Sequence, residues 1–113
     1  MAIDVKAELS NCTVSPQKAR LVLDMIRGKN AHEAVALLAY VNKKSAKPVS
    51  KLISSAIANA EQNFGLSGNN LFIYRITADP APTRKWRRFG ARGRFKPILR
   101  RSSHIKVILR EAE

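Results

Sequence analysis

Nine Lys or Arg side chains crowd residues 80 to 101, PAPTRKWRRFGARGRFKPILRR, and no carboxylate lies among them. They are Arg84, Lys85, Arg87, Arg88, Arg92, Arg94, Lys96, Arg100 and Arg101, and no acid occurs between Asp79 and Glu111. Like charges at this density repel and cannot be desolvated together, so the stretch is a solvated tail or a surface completed by a polyanion. Trp86, Phe89 and Phe95 are interleaved with the cations, and a solubilising tail has little use for aromatic rings. Guanidinium groups fork onto phosphate oxygens, while aromatic rings and Arg planes stack on unpaired bases. That is nucleic-acid chemistry, RNA more than DNA.

Other chemistries find little to work with. Carboxylates are few and dispersed, no nucleophile sits in a strand-to-helix elbow, and no Gly-rich loop is placed to cradle a nucleotide. His32 and His104 have no partner at metal-ligand spacing. His104 reads as a hydrogen-bonding residue at the base of the basic stretch, within reach of RNA. Cys12 is the only cysteine, so no internal disulfide can form and a reducing cytoplasm is expected. Neither enzyme activity, metal nor cofactor is expected. No apolar run is long enough to span a bilayer, and the N-terminus alternates where a signal peptide would be a block. The net charge of +13 instead requires an anionic partner.

The basic stretch is held between two segments of strand character, LFIYRITA before it and SHIKVILR after it. Pairing them antiparallel, with Phe72 opposite Leu109, Tyr74 opposite Val107 and Ile76 opposite Ile105, gives the most apolar matches. Continued outward, that register places a turn at residues 90 to 93, Gly-Ala-Arg-Gly, where glycine accommodates positive φ. Pro80, Pro82 and Pro97 are expected to interrupt strict ladder pairing. An arm of this kind projects roughly 35 Å at about 3.3 Å per residue. It has no core of its own, and is expected to order on its partner.

The remainder of the chain must anchor the arm. Residues 2 to 10 alternate, with Ile3, Val5, Ala7 and Leu9 on one face, as in a half-buried strand. Ser15-Pro16 opens a helix with Ala19, Val22, Leu23 and Ile26 as its apolar stripe, stopped near Gly28. Asn30 and Glu33 are spaced as a capping box for a second helix running to about Val41. A third helix carries Val49, Leu52, Ile53, Ala56, Ile57, Ala60 and Phe64 at helical spacing and ends at Gly65. The expected fold is α+β, three helices on a small three-stranded antiparallel sheet in the order β-α-α-α-β-β, with a long basic hairpin extension. Residues 1–113 form one domain, with a globular part at 1–79 and 102–113 and an arm at about 80–101.

SPQKARLVLDMIRGK, KLISSAIANAEQN, ARGR and RRSSHIKVIL, in this order and spacing, resemble the bacterial large-subunit ribosomal protein family L twenty-two over nearly the whole chain. The resemblance implies a globular part on the subunit surface and a hairpin that runs inward through 23S rRNA to the wall of the nascent-peptide exit tunnel. It also implies rRNA binding early in assembly and an influence of the hairpin on macrolide sensitivity. The implied partners are 23S rRNA, neighbouring large-subunit proteins and the nascent peptide, with neither membrane nor DNA. Combined with the charge pattern, it implies RNA contacts from Ser15, Lys18, Arg20, Arg27, Lys29, Lys43 and Lys44. On the arm these are joined by Arg84, Lys85, Trp86, Arg87, Arg88, Arg92, Arg94, Lys96, Arg100, Arg101 and His104, with Trp86 fitting equally a packing role in the core or the arm. Phe89, Gly90, Ala91, Arg92 and Gly93 correspond to the tunnel tip. The chain has Pro80-Ala81-Pro82 and Phe89-Gly90-Ala91 where the family usually has Glu-Gly-Pro and Pro-Arg-Ala.

Two rivals share the charge pattern. A general nucleic-acid module would use the first two helices as a helix-turn-helix, yet neither has a polar reading face richer than its neighbour. A membrane-surface binder would need a helical apolar stripe that the basic stretch lacks.

Overall fold

The computed structural model describes residues 4–82, 84–89 and 95–111, with side chains over 4–82 and 101–111. Strand β1 (Val5–Cys12) leads into helices α1 (Pro16–Ile26), α2 (Ala31–Leu38) and α3 (Ala46–Phe64). A short 3-10 turn, Gly68–Asn70, precedes β2 (Leu71–Pro80), β3 (Arg84–Phe89), β4 (Phe95–Arg100) and β5 (Ser103–Glu111). β5 is the centre of a three-stranded antiparallel sheet, β1-β5-β2, and β3 and β4 pair as a second ladder. The fold is α+β, as expected.

The helices start and stop for local reasons. Ser15 is extended and Pro16 occupies the first helical turn of α1, where a missing N–H costs nothing. The Ser15 hydroxyl makes no capping bond; its carbonyl accepts from the Ala19 amide at 3.0 Å. At α2 the Asn30 side chain accepts from the amides of His32 and Glu33, at 3.0 and 3.5 Å. Only the Asn30 half of the expected capping box is made, and α2 closes at Leu38, short of Val41. Gly65 ends α3 at φ +64°, a left-handed conformation that spares glycine the Cβ penalty.

All three helices pack on one face of the sheet, α1 beside β2 and α3 beside β1. The core joins Ala19, Val22, Leu23 and Ile26 to Val49, Ile53, Ala56 and Ala60, over Ile105, Val107 and Leu109 of the central strand. Ala56 and Ala60 are fully buried, while Ser54, Ser55 and Ala58 of the same small-residue run face out. Close approach therefore uses only part of that run.

The expected register is corrected by a bulge. β5 opposes Ile73 to Leu109, then Arg75 to Ile108 and Ile76 to Val107, so Tyr74 is the extra residue. Ile76 does not meet Ile105, which lies opposite Ala78. Because side chains alternate with a period of two, one extra residue exchanges the faces. Leu71 and Ile73 point inward before the bulge, Ile76 and Ala78 after it, and Tyr74 is 49% exposed. The expected face of Phe72, Tyr74 and Ile76 does not exist. β1 also continues past Leu9, with a register shift before Cys12 and Asn11 at φ +56°.

Candidate nucleic-acid interface

The arm begins where Pro80 meets Ser103. The Ala81 amide donates to the Ser102 carbonyl at 3.0 Å, and the Ser102 hydroxyl to the Pro82 carbonyl at 3.3 Å. Ser103 is fully buried, and its hydroxyl donates to the Val14 carbonyl at 2.8 Å, tying the root to the loop before α1. His104 Nδ1 accepts from the Asn11 amide at 3.1 Å. It therefore holds the bulged end of β1, in agreement with a hydrogen-bonding role.

Beyond this root, β3 and β4 set Arg84 opposite Arg100, Lys85 opposite Leu99, Trp86 opposite Ile98 and Arg87 opposite Pro97. Arg88 then lies opposite Lys96 and Phe89 opposite Phe95. Pro80 and Pro97 sit inside the ladders, whereas the expected interruption falls at Pro82, between β2 and β3. Gly90, Ala91, Arg92, Gly93 and Arg94, with the expected tip, lie outside the described residues. Two of these six cross-strand pairs are cation against cation. Like charges directly opposite in a ladder destabilise it, and an anion drawn between them offsets the repulsion.

The cations expected on the helices divide into separate groups. Lys18 and Lys29 are exposed beside β2, and Arg101 is exposed at the arm root. Lys43 and Lys44 are exposed in the loop before α3, on the β1 side. Arg20 and Arg27 are exposed and also bond the backbone of β2. Arg20 donates through Nε and Nη2 to the Ala78 carbonyl at 3.2 and 2.9 Å. Arg27 donates through Nε and Nη2 to the Ile76 carbonyl at 3.4 and 3.2 Å, and pairs with Asp24. Spaced seven residues apart, they lie two turns along α1 and close the outer edge of β2. Nothing in their residue type distinguishes this use from phosphate binding.

Two features escaped the sequence. Lys47 and Lys51 line a groove with Lys44; the successive steps of three and four residues from 44 to 47 to 51 were the available signal. On the open face of the sheet, Arg110 pairs with Asp4 and lies 3.4 Å from the Tyr74 ring centroid, while Phe72 meets Tyr74 edge-on. The hydrogen bond from Arg110 holds the Asp4 carboxyl below its ordinary range, and the same bond raises the Arg110 guanidinium. The bulge that exposes Tyr74 was not visible in the alternation.

A profile of the family described as Ribosomal protein L22p/L17e matches residues 7–110. The chain belongs to that family. It is also 44% identical over 111 residues to the protein named Large ribosomal subunit protein uL22 from Clostridium acetobutylicum, covering 98% of this chain and all of that one. The match runs through α1, α3, the arm and β5, the segments that carried the resemblance. Proteins of the L22p/L17e family are structural components of the ribosome and not enzymes.

Proposed function

We propose that the protein is a structural constituent of the large ribosomal subunit in the bacterial cytoplasm, held there by 23S rRNA. The arm at residues 80–101 enters the rRNA, and the globular part at 1–79 and 102–113 docks outside it. The observation that carries this reading is the arm's register. Arg84 against Arg100 and Arg88 against Lys96 form a ladder that an interposed phosphate stabilises. Lys85, Arg87, Arg92, Arg94 and Arg101 add phosphate contacts, and Trp86 and Phe89 stack on bases or pack against the rRNA. Ser15, Lys18, Lys29, Lys43 and His104 supply contacts at the arm's root and on the globular surface. Arg20 and Arg27 contribute chiefly by fixing β2, from which the arm springs. Gly90, Ala91 and Gly93 reach the exit-tunnel wall beside the nascent peptide. Binding of this kind early in assembly gathers rRNA segments that would otherwise repel.

The test is binding of 23S rRNA by the full chain across salt. If about five phosphates are neutralised, affinity falls several-hundred-fold from about 50 to 200 mM salt. Arg84→Gln with Arg88→Gln lowers the steepness by nearly two phosphates. Binding indifferent to salt, or equal binding to arbitrary duplex DNA, contradicts the reading.

A further inference from the structure

The two edges of the sheet are finished differently. Along the outer edge of β2, the Gly28 amide donates to the Ile73 carbonyl and the Ile73 amide to the Lys29 carbonyl, at 3.2 and 2.9 Å. Arg27 and Arg20 cover the next two carbonyls. Along β1, among the described residues, the outer edge receives one contact, from Asn59 Nδ2 to the Lys6 carbonyl at 3.5 Å. That contact shows that the Lys6 backbone faces away from β5. By the period of two, the backbone groups of Glu8 face the same way. They border an open groove of about 620 Å³ between β1 and the first half of α3.

The groove has an apolar floor and a cationic wall. Leu9, Pro48 and Leu52 form the floor, Lys44, Lys47 and Lys51 the wall, and among the described residues Glu8 is the single carboxylate at its border. Leu9 belongs to the core-facing row of β1 yet stays half-exposed, because no strand among the described residues is laid against that edge. An unpaired strand edge with a partly bare apolar row is a template for one more strand, and proteins ordinarily cover or blunt it.

We propose that this edge and groove receive an extended acidic segment of a neighbouring protein, added to the sheet beside β1. The proposal rests on the large-subunit reading above only in taking the partner from the same particle. A polypeptide fits better than an RNA strand for three reasons. The open backbone groups of β1 match a strand's alternating donors and acceptors. The floor gives apolar side chains a place and phosphates none. Among the described residues, no aromatic side chain lines the groove to stack a base. Three lysines at spacings of three and four then face the guest's acidic side chains, against one opposing carboxylate.

The test uses the full chain assembled into large subunits, with Ser55→benzoylphenylalanine as a photo-crosslinker in the groove. Irradiated subunits are expected to yield a cross-link to a protein segment bearing Asp or Glu at alternate positions. The Glu8 amide is expected to exchange hydrogen at least about tenfold more slowly in the subunit than in the free protein, the protection that one added hydrogen bond gives. Lys47→Glu with Lys51→Glu should retain assembly and lose most of the cross-link. A cross-link to rRNA, or unchanged exchange at Glu8 in assembled subunits, overturns the proposal and leaves the large-subunit reading intact. Absence of the wild-type chain from the subunits overturns both.

Discussion

Arginines at positions 20 and 27 illustrate how a cation's role is decided by geometry and not by type. Each guanidinium gives two donors to one carbonyl of an edge strand. Arg20→Leu removes donors from the partly buried Ala78 carbonyl and should destabilise the fold by about 1 kcal/mol in urea unfolding. Lys18→Ala should change stability by less than about 0.5 kcal/mol while weakening rRNA binding. Ser103→Ala leaves the buried Val14 carbonyl without its donor and should cost about 1–3 kcal/mol. The Asp4–Arg110 pair adds a pH dependence. Asp4 has a lowered carboxyl pKa in the fold, so its contribution is complete above the ordinary carboxylate range and is lost as pH falls through the folded value. Asp4→Asn should therefore flatten the acid limb of stability against pH without altering it near neutrality beyond the loss of the pair. The sequence located these charged residues, but their partners are carbonyls and rings far along the chain, which spacing does not report.

At the scale of elements, the helices were legible because their signals are local. The Ser15-Pro16 start, the Asn30 cap and the Gly65 stop each act within a turn of the residue that causes them. Gly65→Ala should cost about 1 kcal/mol, since alanine lacks glycine's ease at positive φ. Ile53→Ala, in the middle of α3 and fully buried, should cost about 2–5 kcal/mol because the cavity is enclosed by the sheet. Thermal or urea unfolding separates the two. Strand existence was legible too, whereas register was not. The Tyr74 bulge follows from the competition of Ile73 and Ile76 for the core, a decision taken across strands and not within one. Apolar residues on both parities of β2 were the only trace of it.

Taken whole, the molecule joins a core of ordinary composition to an arm whose cations oppose one another in register. Charge pattern alone pointed to an anionic partner; family membership points to the ribosome. Removal of residues 84 to 96 should leave the unfolding midpoint of the globular part nearly unchanged, because β3 and β4 pair with each other and not with the sheet β1-β5-β2. Unfolding of the domain on this deletion would show that arm and core are one unit. The most direct test is sedimentation of the tagged full chain from lysate through sucrose at moderate and at high salt. The protein is predicted to travel with the large subunit at both, and the arm-deleted chain to be released at high salt. A full-length chain found at the top of the gradient, or with DNA, would contradict the placement of its arm within rRNA.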